Sequence, residues 1–365
     1  MKKLFFCVMT VMFLSAVAPL FGYNKRANGV MEISLSSPIP ANTDWGKALA
    51  KIAEDWKKVT NGEVILKIFP NAVLGDEGTA IQQIDSGALD AAVLSTFGLN
   101  MITKKTQNII TRQSSPPSTA IMTLSCPFLI RDEEELDLVL SGLKPDLEAK
   151  INEKGYFTLA WARVGWAKVF ARIPIRTPSD LQKIFLGTAA GEDELKEIFE
   201  KMGFKLRVVE QKSLLQALTT KTVEAVYQSP IAAGGAQIVG VAPNMLNLNI
   251  APFMGGIIFS QKTWDDIPAK YKSELLRVTK QAEINLDRAI KELETSAIEL
   301  IQAKMKGRFK VIEPNAQEIQ QWYNLVNAAL FDDPRTGRRG LVGTTFDAEI
   351  YRKVDALVKA HRGER

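Results

Sequence analysis

Apolar and polar positions change their period several times along the chain, and each change marks an element. From 31 to 37, "MEISLSS" alternates apolar and polar side chains, the period-two pattern of a half-buried strand. Asn42 or Thr43 can cap a following helix, in which Trp45, Leu49, Ile52, Ala53 and Trp56 share one face. A strand "VILKIF" (64–69), a turn at "PNAVLGDEG", a helix over 77–86 and a strand "LDAAVLS" (89–95) come next. Strands recur at 157–162, 168–172, 184–188, 205–209 and 224–229, and the small-residue corner "LGTAAG" leads into a helix beginning "EDELKEIFEKMG". This alternation predicts an α/β fold with a mainly parallel sheet covered on both faces. Residues 103–120 carry no apolar period and contain a Pro-Pro pair, so they read as an exposed loop.

Two longer-range patterns add to this. From Pro268 to Lys306 a helical period aligns Leu275, Ala282, Leu286, Ile290, Leu293, Ala297 and Leu300, a rod of roughly 55 Å. Its stripe mixes Ala with Leu and no partner helix accompanies it, so a strut bracing two lobes is preferred to a coiled coil. "IQQIDSGALDAAVLS" (81–95) also superimposes on "LQALTTKTVEAVYQS" (215–229), which predicts two lobes of similar design. Gly87 supplies a left-handed helix stop without strain, and Lys221 would adopt the same geometry at a cost of about 1 kcal/mol. The acids of the two copies, Asp90 and Glu224, are either solvated loop charges or acceptors for backbone amides at the strand entrance.

Composition narrows the function. A chain of 365 residues, 46% hydrophobic, can bury the cores of two lobes. The net charge of +5 is spread among alternating signs and gives no nucleic-acid footprint. His361 is the single histidine, which removes His-based triads and most metal sites, and no nucleophile or acid–base pair stands at motif spacing, so no enzyme and no cofactor is expected. "MKKLFFCVMTVMFLSAVAPLFGYNKR" has the layout of a secretory leader over residues 1–23, with an uncleaved anchor as the alternative because Pro19 follows the best cleavage match. With Cys7 in that leader, Cys126 has no disulfide partner and reads as a small buried apolar side chain.

The motifs "FPNAVLGDEGTAIQQIDSGALDAAVLS", "LSCPFLIRDEEEL", "IPIRTPSDL", "KTVEAVYQSP" and "WDDIPAKYKSELL", in this order across 31–330, resemble the solute-binding proteins of tripartite ATP-independent periplasmic (TRAP) transporters. The resemblance implies a periplasmic, two-lobed binding protein fold closing on a small molecule, with the long helix spanning both lobes and membrane permease subunits as partners. Lobe I would comprise 31–157 and about 248–285, lobe II 158–247 and about 286–330, and a C-terminal loop and helix 331–365. The wording "KTVEAVYQSP" and "APFMGG" inclines toward the subgroup that works with a tetratricopeptide-repeat protein.

In this family the strand after the "TP-x-DL" motif usually ends in an arginine that forks onto a ligand carboxylate. That place falls on Gly187 here. Three readings follow: Arg163 or Lys168 supplies the cation instead; backbone amides of Gly187, Thr188, Ala189 and Ala190 capture the anion; or the ligand is apolar or amphipathic, the reading preferred. A scaffold without ligand is the remaining alternative. Phe97, Trp161, Trp166, Tyr227, Gln228 and Phe253 fall near strand ends, where α/β sheets bind ligands.

Overall fold

Two long antiparallel strands organise the molecule. In the computed structural model, which describes residues 26–27, 29–107, 117–189 and 192–364, the chain begins with β1 (Arg26–Ala27), β2 (Val30–Ser36), α1 (Asp44–Val59), β3 (Val64–Phe69), α2 (Glu77–Ser86), β4 (Ala91–Ser95), α3 (Thr96–Thr103), α4 (Ala120–Thr123) and α5 (Glu133–Asn152). Strand β5 (Tyr156–Ala171) follows, then α6 (Pro178–Leu181), β6 (Phe185–Ala189), α7 (Asp193–Lys201), β7 (Lys205–Val209), α8 (Leu214–Thr219), β8 (Ala225–Gln228) and α9 (Pro230–Gly235). The remaining elements are β9 (Asn244–Ser260), α10 (Gln261–Asp266), α11 (Ala269–Met305), β10 (Lys310–Ile312), α12 (Ala316–Leu330) and α13 (Ala348–Arg362).

The sheet runs β1-β2-β4-β9-β5-β8-β6-β7, with β3 on β2 and β10 on β9. Strands β5 and β9 pair from Tyr156↔Ser260 to Ala171↔Asn244. Strand β4 joins β9 at one end of this ribbon, over Gly255–Phe259, and β8 joins β5 at the other, over Lys168–Ala171. The fold is therefore α/β and two-lobed, with one end of the ribbon in each lobe. The separate strands expected at 157–162 and 168–172 are a single strand. Register shifts between Thr158 and Ala160, Arg163 and Gly165, and Ala167 and Val169 break its alternation without breaking its pairing. Gly165 accommodates the middle shift at φ +106, where a side chain would meet the Glu294 carboxylate at 3.0 Å.

Helix α11 spans both lobes as expected. Near its start Leu275 and Val278 pack with Trp56 and Phe259, and near its end Ile301 packs with Phe170 and Met245. Thr279 Oγ1 accepts a 2.9 Å hydrogen bond from Trp56 Nε1. One stripe residue is misplaced: Leu300 is 61% exposed, and its neighbour Ile301 is buried. The 3.6-residue period drifts against a fixed spacing, so a one-residue error accumulates along so long a helix.

The internal repeat is present in the backbone and differs in its side chains. Gly87 and Lys221 both take left-handed conformations, at φ 74 and 60. Asp90 is buried and accepts from Ser34 N at 2.8 Å, Ser34 Oγ at 2.7 Å and Thr263 Oγ1 at 3.1 Å. The half-buried Glu224 has no comparable side-chain bonds among the described residues. Cys126 is fully buried, and burial pushes its thiol well above the ordinary range.

Helix α13 buries Ile350, Val354 and Val358 against α4 and α5. Polar anchors fix this placement, including Asp347 N to Thr123 Oγ1 at 2.9 Å and Lys353 to Asp146 at 2.6 Å. The expected loop at 103–120 is tied down where it leaves α3: Thr103 is fully buried, and Lys105 bonds both Asp85 and Tyr156. The leader and 108–116 lie outside the described residues, among which no helix is long and apolar enough to cross a membrane.

Candidate ligand-binding site

Strand alternation decides what the position at 187 can do. A Cβ on Gly187 would lie 3.3 Å from Leu214 Cδ1 and from both γ carbons of Val223. It would point with Val226, its ladder partner, into the apolar cluster beneath α8. Gly187 is thus no vacancy in a cleft, because successive side chains on a strand face opposite sides. Thr188 faces the other way. It is 2% exposed, and its hydroxyl has no hydrogen-bond partner among the described residues. The amide reading is also corrected, since Glu192 Oε2 already takes the Ala189 amide at 2.9 Å; Ala190 lies outside the described residues.

The two substitute cations differ sharply. Arg163 is 8% exposed and is saturated by carboxylates, pairing with Glu133 at 2.5 Å, Asp287 at 2.5 Å and also Asp137. It stitches β5 to α5 and α11 and has no fork to offer a ligand. Lys168 is 5% exposed and bonds the Oδ1 atoms of Asn247 and Asn249, each at 2.9 Å. Both amides are held oxygen-inward because their Nδ2 groups donate elsewhere, to Glu313 at 2.8 Å and to the Arg131 carbonyl at 3.1 Å. Lys168 makes no ion pair with a described residue, and burial lowers its pKa to about 8, against the weaker pull of Glu294 and Glu313. Gln228 stands beside it in the β5–β8 ladder and is half-buried.

On the opposite face of the ladder, Tyr227 is packed edge-on between Phe253 and Phe199, with ring centroids 5.3 Å away in each case. Burial raises its phenol pKa, and the charge of Glu192 adds to the rise. Burial likewise lifts the Glu192 carboxyl to about 7, helped by the charge of Glu77. Glu77 accepts from Ser95 N at 3.0 Å and Ser95 Oγ at 2.9 Å, and Gly98 gives it room, since a Cβ there would sit 2.3 Å from Oε2. Glu77 lies in the "LGDEG" turn and Glu192 at a helix start, far apart in the chain, and no local pattern links the two.

The aromatic candidates divide. Tyr227 and Phe253 come together, and Phe97 packs against the same cluster. Trp161 and Trp166 are instead tied to α5, through Glu148 at 2.9 Å and Glu133 at 2.6 Å. Asn247 and Asn249 were missed. The alternation in "NMLNLNI" was their only signal, and it does not say which cation they face.

Residues 35–332 match the family model described as bacterial extracellular solute-binding protein, family 7, DctP. The chain belongs to that family. The C4-dicarboxylate-binding periplasmic protein DctP of Vibrio cholerae is 21% identical over 313 residues, covering 84% of this chain and 89% of the relative. A solute-binding protein of Chromohalobacter salexigens is 26% identical over 181 residues, and there the chain spans about half the length, 49%, of the relative. Among solved structures, a TRAP periplasmic solute-binding protein of Sulfurospirillum deleyianum with bound succinate is similar at a TM-score of 0.74 and 20% identity, over 89% of this chain and 98% of that one. One of Xanthobacter autotrophicus with bound β-D-galacturonate gives 0.70 and 20%, over 89% and 99%. These family members are binding proteins, not enzymes. The apolar ligand expected from the sequence is corrected by these findings: the similar structures carry organic acids, and the vacancy on which it rested faces Leu214 and Val223.

Proposed function

We propose that this protein is the extracytoplasmic solute-binding component of a TRAP transporter, exported to the periplasm by its N-terminal leader, and that it takes a small organic acid whose carboxylate is neutralised by Lys168. The observation that carries the ligand class is the buried Lys168 ammonium, held by two neutral amide oxygens and, among the described residues, bonded to no carboxylate. A buried charge hydrogen-bonded only to neutral amides, with Glu294 and Glu313 acting on it but not paired with it, is incompletely compensated, and an incoming anion completes the pair. Succinate and galacturonate, the molecules bound by similar proteins, belong to that chemical class. Gln228 beside Lys168 supplies a polar neighbour for a ligand hydroxyl.

In this reading the lobes are 31–157 with about 248–285 and 158–247 with about 286–330, and β5, β9 and α11 are the connections across which they close. Permease subunits are the membrane partner, and a tetratricopeptide-repeat protein is a further proposed partner, to be sought by co-purification. Isothermal titration with succinate, malate and galacturonate tests the ligand class. Saturable binding of at least one is expected, weakened about 10- to 100-fold in Lys168→Met, the loss of one or two charge-assisted hydrogen bonds. Binding that is indifferent to Lys168→Met overturns the anchor, and no binding of any acid favours a scaffold that only contacts partners.

A further inference from the structure

A cavity of about 410 Å³ lies where the 127–131 turn meets α12 and α13, apart from the site built around Lys168. Helix α13 forms one wall and falls outside the residues matched by the family, 35–332, so this cavity is made by a segment the family model does not cover. Phe128, Tyr323, Phe331 and Tyr351 give it aromatic walls, and Arg131 and Arg362 bring two guanidinium groups.

The two arginines are in different states. Arg362 is engaged, forking onto Glu135 at 2.6 and 2.7 Å and donating to the Leu129 carbonyl at 3.0 Å. Arg131 lies over the Tyr323 ring at 4.4 Å and spends only its Nε, on the Phe128 carbonyl at 3.3 Å. The carboxylate of Glu364 stands between them, 3.7 Å from Arg131 and 4.0 Å from Arg362, within ion-pair range and without a hydrogen bond to either. Asp355, the other acid of the cavity, is paired with Lys359 at 2.9 Å. The hydroxyls of Tyr323 and Tyr351 and the amide of Asn327 make no hydrogen bond among the described residues. Phe331 stands 51% exposed at the rim, edge-on to Tyr351 at 5.9 Å. Phe128 takes a left-handed φ of 59, costly for an aromatic residue, and is held there by a 2.7 Å bond to the Ile250 carbonyl.

We propose that this cavity is a second ligand site, for a small aromatic carboxylate of the arylacetate kind, with Glu364 as its displaceable internal occupant. The Arg131 fork receives the ligand carboxylate bidentately while its plane stays stacked on Tyr323, and the ligand ring fills the space between Tyr323 and Phe331.

Phenylacetate is the probe, titrated calorimetrically into the full chain with Lys168→Met in the background so that the first site is disabled. Saturable binding is expected, several-fold tighter in Glu364→Gln, where the competing carboxylate is gone, and about tenfold or more weaker in Arg131→Met, with phenylethylamine inert throughout. Should Arg131→Met fail to fold, Arg131→Lys keeps the charge, loses the fork, and is expected to weaken binding several-fold with an unchanged melting curve. No saturable binding in Glu364→Gln, or equal affinity in the protein with and without the Arg131 change, overturns the proposal. Neither result bears on succinate binding at Lys168, which is measured separately in the Arg131 variants.

Discussion

Burial holds the carboxyl of Glu192, at the start of α7, at about 7, and the charge of Glu77, at the start of α2, adds to the rise. Lys104 of α3 and Glu194 of α7 form an ion pair. The first turn of α7 thus carries both a carboxyl that titrates near neutrality and an ion pair to α3.

The sign follows from linkage. Glu192 has a folded-state pKa of about 7 against 4.5 unfolded, so between those values the folded chain holds the extra proton. Its contribution is most favourable below about pH 4.5 and is lost as pH rises through 7. The melting temperature of the protein should therefore fall between pH 5.5 and 8 by a few degrees more than that of Glu192→Gln. Equal slopes for the two proteins would count against this titration.

Lys168 gives the opposite end of the pH scale. With a pKa of about 8 in the empty site, it is mostly charged at pH 7 and mostly neutral at pH 9. Acid affinity should hold steady below pH 7.5 and decline by close to tenfold per unit above about pH 8, as binding must then take up a proton. A titration series with succinate from pH 6.5 to 9.5 reads this directly, and a flat profile would remove Lys168 from the site.

At position 187 the structure predicts damage and not restored function. Gly187→Arg drives a charged side chain into Leu214 and Val223 and should cost about 3 kcal/mol or more, by overpacking and by burying an unpaired charge. Urea denaturation measures the loss, and succinate affinity in the folded fraction should not increase. A stable variant with tightened succinate binding would show that the side chain reaches the ligand after all.

Arg163→Met should separate structural charge from ligand charge. The carboxylates of Glu133, Asp137 and Asp287, 35%, 53% and 32% exposed, lose their shared cation but stay partly solvated. A stability loss of about 2 kcal/mol is expected, below the range for a fully buried pair, with acid affinity kept within about twofold. Denaturation and titration of the same preparation test both halves.

Local patterns were legible where one physical rule acts alone. The alternation of 31–37, the one-sided apolar face of α1, the left-handed stop at Gly87 and its strained counterpart at Lys221 are read from neighbouring residues and appear in the structure. The bulged β5 reads as two strands in the sequence because each bulge reverses side-chain alternation while pairing with β9 resumes beyond it, and periodicity records only the alternation.

The site was less legible. That Arg163 is spent on three carboxylates, and Lys168 on two amides, depends on which residues of α5, α11 and β9 are brought beside β5. The chain by itself determined its elements, its family and the absence of an arginine at 187, since these follow from residue order and local periodicity. Only the tertiary structure decided that Gly187 faces an apolar core, that burial raises the Glu192 carboxyl, and that Lys168 makes no ion pair among the described residues. Such outcomes turn on distances between residues far apart in sequence, and on desolvation, which exists only once the lobes have packed.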